Sequence, residues 1–124
     1  MKITLKKLEK IIRNCWDENT CHYKSHWNPK LPSTGHCRVT ALLLQDFFKG
    51  NILYSYVKGN KKRDHYWNEF PNGNEVDITR DQFPKKVSFV KSIIITRKKA
   101  FSSKKTKKGY FILRRRVLNC LKKH

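Results

Sequence analysis

Apolar residues recur at helical spacing in two places early in the chain. Over residues 3–16, Leu5, Leu8, Ile12 and Cys15 stand at i, i+3, i+7 and i+10, one stripe on one helix face. From Cys37 to about Lys49, a second stripe is formed by Val39, Leu42, Leu43 and Phe47, with Asp46 at its border. Gly50 supplies the C-terminal stop of that helix, and Ser33 or Thr34 is placed to cap its start. Residues 17–35 between them are polar, contain proline and are rich in His and Trp. So long a connection in a small domain is often functional. After Gly50 the period changes. "NILYSYVKG" reads as a strand, and "HYWNEF" and "EVDIT" as two short strands joined around "PNG". "NKKR" reads as a turn or loop, and "VSFVKSIIIT" as a further strand or short buried segment. The basic, polar "RKKAFSSKKTKKG" reads as mobile. "YFILRRRVLNCLKKH" fits a last helix, with Tyr110, Leu113, Val117 and Leu121 on one face. No internal repeat is present. The order predicts an α+β domain over residues 1–124, with a compact core over 1–84 and a basic strand, linker and helix over 85–124.

The turn between the two short strands decides which side chains meet. A two-residue Asn72-Gly73 turn would put His65 and Asp77 on opposite faces, because directly opposed residues of antiparallel strands point the same way. Pro71 and Asn72 instead suit the two central positions of a type I turn, with Gly73 left-handed after them. In that register Phe70 pairs with Asn74, Trp67 with Asp77 and His65 with Thr79. His65, Trp67, Asp77 and Thr79 then share a polar face, with Asp77 a diagonal neighbour of His65. Tyr66, Phe70, Val76 and Ile78 form the apolar face.

Charge changes the picture at the C-terminal end. The net charge is +20. Residues 1–84 carry 14 Lys/Arg against all 9 Asp/Glu, whereas residues 85–124 carry 15 Lys/Arg and no acid. Such a block attracts polyanions, although the chain has no recognisable nucleic-acid motif. No apolar run approaches the roughly 18 residues of a membrane span, and "MKITLKKLEK" interleaves charges as no secretory signal does. The expectation is a cytoplasmic protein without a membrane span, in which Cys15, Cys21, Cys37 and Cys120 are not disulfide-bonded.

Cys37 stands where a helix begins, in the field of the helix N-terminus, which favours a thiolate. With its helix laid across the polar face of the hairpin, Cys37 becomes a nucleophile, His65 accepts its proton and Asp77 fixes the imidazole. The Cys37 backbone N–H is a candidate oxyanion donor, with Trp27 or Asn28 of the preceding loop as a second. Trp27 and Trp67 are candidate cleft walls. Against this, Cys37 could be a core thiol. Cys21, His22, His26, His36, Cys37 and His65 are zinc ligands by type. Their spacing fits none of the paired patterns, and the adjacent pairs Cys21-His22 and His36-Cys37 splay apart. No metal and no other cofactor is therefore expected. Cys15 and Cys120 lie on apolar stripes, as buried thiols do.

"HYWNEFPNGNEVDIT" resembles the His-x-Trp…Asp-x-Thr segment of transglutaminase-like and papain-like cysteine enzymes, whose order is also cysteine helix, histidine strand, aspartate strand. More closely, "STGHCRVTALLLQDFFKGNIL…HYWNEFPNGNEVDITRDQF" resembles a family of small YunG-like proteins over about residues 25–84. The resemblance implies a papain-like core with Cys37, His65 and Asp77 at the triad positions, and it implies no substrate. It departs at position 36, a histidine where glutamine is expected in such a Gly-x-Cys motif. Two functional classes follow. One is a cysteine-dependent amide or ester hydrolase or acyl transferase acting on a protein or peptide-like substrate. The other is a basic module that binds nucleic acid or another polyanion through 85–124, its triad incidental.

Overall fold

A computed structural model describes residues 3–123. Four helices, α1 (Leu5–Cys15), α2 (Cys37–Phe48), α3 (Arg97–Ala100) and α4 (Lys104–Lys122), accompany four strands, β1 (Asn51–Val57), β2 (Asn60–Glu69), β3 (Glu75–Val76) and β4 (Ile93–Ile95). The strands form one antiparallel sheet in the order β3-β2-β1-β4. The α+β class expected from the element order is the class observed. Among the described residues no helix is long and apolar enough to cross a membrane, and all four cysteines are free.

The predicted stripes become the core. α1 starts at Thr4, whose hydroxyl accepts from the Lys7 amide, and buries Leu8, Ile11, Ile12 and Cys15. α2 is sandwiched between the sheet and the α1–α4 pair. It therefore buries six consecutive residues, Val39 to Leu44, rather than a stripe. Neither Ser33 nor Thr34 caps it. His36 holds the N-cap position with no side-chain cap bond, because Gly35 ends the preceding turn only two residues before the helix starts. Asp46, at the border of the stripe, accepts from Arg97 at 2.6 Å and from the Tyr110 hydroxyl, tying α2 to α3 and α4.

The hairpin between β2 and β3 takes the register expected from its turn. Asn68 pairs with Val76 and Glu69 with Glu75. The Phe70 amide donates to Asn74 O, the Gly73 amide donates to Phe70 O, and Gly73 sits at φ +89°. Three expectations are corrected. "NKKR" is no loop but the exposed start of β2, reached through a tight turn at Lys58–Gly59. "EVDIT" is a strand only at Glu75–Val76, since the chain then turns into a 3₁₀ segment, Arg80–Gln82. Trp67–Asp77 and His65–Thr79 are therefore not ladder pairs. "VSFVKSIIIT" touches β1 as a bridge at Phe89 and again as β4, with a break between them.

The basic run predicted to be mobile is ordered. Thr96 and Ser103 accept hydrogen bonds from the amides of Lys99 and Thr106, capping α3 and α4. α4 thus begins at Lys104, six residues before the predicted start. Its first turns bury Thr106, Gly109 and Tyr110, a face too weakly apolar to read as a stripe among lysines.

Candidate functional site

Cys37 is the first residue of α2, so its amide has no partner within the helix ladder. The turn in front of it is locked. Gly35 has φ +77° and lies against the Cys21 sulfur so closely that a Cβ would collide with it. The Cys21 thiol in turn donates to the carbonyls of Tyr23 (3.2 Å) and Thr34 (3.3 Å). Glycine is required at position 35 both for its left-handed backbone and for space.

His65 is fully buried on β2. Its ring stacks on Trp67 and Phe89, with centroids 5.4 Å away in each case, and meets the edge of Phe83 at 4.9 Å. Nε2 lies 2.6 Å from Asp77 Oδ2, and the Thr79 hydroxyl donates to Asp77 Oδ1 at 3.4 Å. The Asp77 carboxylate accepts from Nε2–H, and the other ring nitrogen, Nδ1, lies on the side of Gln82 at 3.5 Å. Burial would lower the His65 pKa, but Asp77 and the neighbouring Cys37 outweigh it and raise it to about 9. The shared face inferred for His65 and Asp77 becomes a direct contact because the chain leaves the ladder after Val76 and folds Asp77 toward the ring.

The assignment of α2 to the polar face of the hairpin is overturned. α2 packs on the opposite face, where Asn68 donates to Ala41 O at 2.9 Å and Tyr66 joins the core. Phe83 and Phe89 close over His65 instead. Arg80 holds that segment by donating to the carbonyls of Phe83, Pro84 and Val87. Cys37, at the start of α2, is a neighbour of His65, which lies beyond the part of β2 paired with β3. The constellation consequently borders two hollows. Cys37 lines a cleft of about 280 Å³ with His22, Tyr23, Gly35, Arg38, Lys62, Asp64, Tyr66 and Gln82. His65, Trp67 and Asp77 line a second of about 260 Å³ with Glu75, Arg80 and Phe89. Trp67 donates to Glu75 at 2.7 Å.

Trp27 and Asn28 are not among the residues lining the cleft. Trp27 is half-buried with its indole N–H unpartnered, and Asn28 is exposed and accepts from the Lys30 amide. Gln82, which sequence reasoning passed over, lines the cleft, with its amide nitrogen 3.5 Å from His65 Nδ1. Its one sequence signal was its place inside "VDITRDQF". Asp81 pairs with Arg13 of α1 at 3.2 Å.

His36 belongs to the core. It is fully buried, stacked 5.1 Å from Trp16, with Nε2 2.6 Å from Thr20 Oγ1 and Nδ1 facing Thr34 O at 3.2 Å. Desolvation lowers its pKa to about 4, against carbonyl contacts that raise it. The two buried histidines therefore set opposite pH limbs. His36 stabilises the fold above about pH 6.5, and that contribution is lost as pH falls through 4. The contribution of His65 is complete below about pH 6.5 and lost as pH rises through 9. Urea unfolding across this range is expected to give highest stability near pH 6.5, with about 3 kcal/mol lost along each limb. His36→Gln should flatten the acid limb alone, and a flat wild-type profile would contradict both assignments.

These features define an α+β protein in which a helix-start cysteine meets a buried His–Asp pair. Residues 4–122 match the family described as YunG protein, so the chain belongs to the YunG family. The match extends beyond the resemblance at 25–84 and takes in the whole of α1 and α4. A relative from Bacillus subtilis (strain 168), "Uncharacterized protein YunG", is 34% identical over 91 residues, covering 73% of this chain and 72% of the relative. No solved structure matches.

Proposed function

We propose that the protein is a cysteine-dependent hydrolase or acyl transferase of amides or esters, with a papain-like arrangement of Cys37 as nucleophile, His65 as base and Asp77 as its orienting carboxylate. The observation that carries this reading is the buried imidazole held at 2.6 Å by Asp77, with Cys37 among the neighbours that hold its proton. A structural histidine needs no carboxylate on one side and a thiol on the other.

The chemistry balances within the site. His65 takes the thiol proton, the sulfur attacks the substrate carbonyl, and a C–S bond forms as the C–N or C–O bond breaks. The leaving amine or alcohol departs with the proton held by His65. Water or an amine then attacks the thioester, gives its proton to His65, and Cys37 leaves as the thiol. The Cys37 amide, outside the helix ladder, is one donor for the developing oxyanion, and the Gln82 amide, which lines the same cleft, is a side-chain donor for it.

Incubation with p-nitrophenyl esters followed by mass spectrometry tests the reading. The expected result is an acyl group on the Cys37 peptide, absent in Cys37→Ala and slow to form in Asp77→Ala. Acylation spread over surface lysines and indifferent to Cys37 would overturn it. The second reading would then stand, in which the exposed cations of 85–124 contact nucleic acid or another polyanion.

A further inference from the structure

The residue after the nucleophile is a guanidinium with no carboxylate. Arg38 lines the cleft beside Cys37. It donates to Thr106 Oγ1 at 3.3 Å and to the Tyr66 hydroxyl, and its Cζ lies 4.4 Å over the Tyr66 ring. Arg13, Arg97 and Arg116 each have an acidic partner; Arg38, like Arg63, Arg80, Arg114 and Arg115, has none among the described residues, and of these five it is the one that lines the cleft with Cys37. The carboxylate that also lines the cleft, Asp64, accepts from the Tyr54 hydroxyl. A guanidinium carries five N–H donors, so these two contacts leave several for a ligand. A half-buried cation with no carboxylate bonded to it is costly, and it is held by groups from β2 and α4.

The surroundings extend the same sign. Lys62 lines the cleft. A hollow of about 460 Å³ shares the wall of His22 and Tyr23 and is lined by Lys24, Lys105 and Lys108 without any acid. Lys105 Nζ sits 4.4 Å over the Tyr23 ring.

We propose that Arg38 is an anion-binding residue of the cleft, and that the acyl compound taken by Cys37 carries a carboxylate or phosphate close to its reacting carbonyl. This deepens the hydrolase reading and rests on it for the role of Cys37. A planar guanidinium matches either oxyanion with two parallel hydrogen bonds.

The experiment compares alkylation of Cys37 by iodoacetate and by iodoacetamide, read on the Cys37 peptide by mass spectrometry. Both reagents need the same thiolate, so the ratio of their rates cancels its abundance and reports only the preference for an anion. Arg38→Gln is expected to lower the iodoacetate to iodoacetamide ratio roughly tenfold, the effect of one charge-assisted hydrogen bond. Arg38→Lys, which keeps the charge without the planar fork, should keep only part of the preference. Arg115→Gln, on the exposed side of α4, controls for the general positive field and should leave the ratio alone. Should Arg38→Gln fail to fold, Lys62→Gln and Lys105→Gln are each expected to lower the ratio a few-fold. A ratio equal in wild type and in all these variants overturns the proposal. Protection of Cys37 by succinate or by inorganic phosphate supports the site and tells carboxylate from phosphate, and protection by neither counts against it. If instead both rates rise together only near the ordinary thiol pKa, the hydrolase reading fails while the ratio still reports on Arg38.

Discussion

Replacing His65 with alanine is expected to slow alkylation of Cys37 at pH 6.5 by about a hundredfold. An ordinary cysteine thiol has a pKa of about 8.5, so roughly 1% is thiolate at pH 6.5. His65 keeps its proton up to about pH 9, and in the proposed pair it is the imidazolium set beside the attacking sulfur, a partner the alanine variant lacks. The loss is limited at both ends. A lower-pKa thiolate is intrinsically less nucleophilic, and the start of α2 still offers its positive end to the variant. The check is a pH profile of the alkylation rate, read on the Cys37 peptide. In the wild type the rate should persist below pH 7, and in His65→Ala it should climb only toward pH 8.5. Superimposable profiles would make Cys37 a structural residue and remove the basis of the enzymatic reading.

That His65 and Asp77 belong together was legible before any coordinates, and the reason is local. Pro71, Asn72 and Gly73 each have a strong conformational preference, and only one turn satisfies all three. The turn fixes the register, and the register fixes the face. The partner of that face was not legible. Its occupants, Phe83 and Phe89, come from a segment whose path depends on the Arg80 contacts with three backbone carbonyls. Arg38, Tyr66 and Gln82 at the cleft were missed for a related cause, since each is an ordinary residue of its own element and converges on Cys37 only in the fold. His36, a zinc ligand by type that its spacing set aside, turns its side chain to Trp16 and Thr20 in the core.

The fold was legible where burial is one-sided and obscured where it is not. α1 shows its stripe because one face meets the core and the other meets water. α2 has neighbours on both sides and looks merely hydrophobic. The start of α4 was read as mobile because lysines outnumber every apolar residue there, while the groups that hold it are a serine cap, a buried threonine and a glycine against α2 and the 17–20 turn.

Deleting residues 104–124 is expected to leave a chain that does not unfold cooperatively at all, as followed by thermal circular dichroism. Tyr110, Leu113 and Val117 are buried in the core against α1 and α2. Each buried side chain of this kind contributes about 1.5–3 kcal/mol, so the three together rival the 5–15 kcal/mol that holds a typical domain. The deletion also strips the Tyr110 hydroxyl from Asp46 and the Arg116 guanidinium from Asp17 and from Cys15 O. It removes Thr106 from Arg38 as well, so the cleft loses one of the two groups that fix its guanidinium. A truncated chain with a sharp melting transition near that of the full protein would show α4 to be an appendage. The expected collapse has a consequence for the basic block. Eight of its 15 cations are carried on a helix whose other face is core, so charge and fold cannot be separated by truncation. Any polyanion contact has to be tested by substituting exposed cations such as Arg114 and Arg115, with α4 left in place.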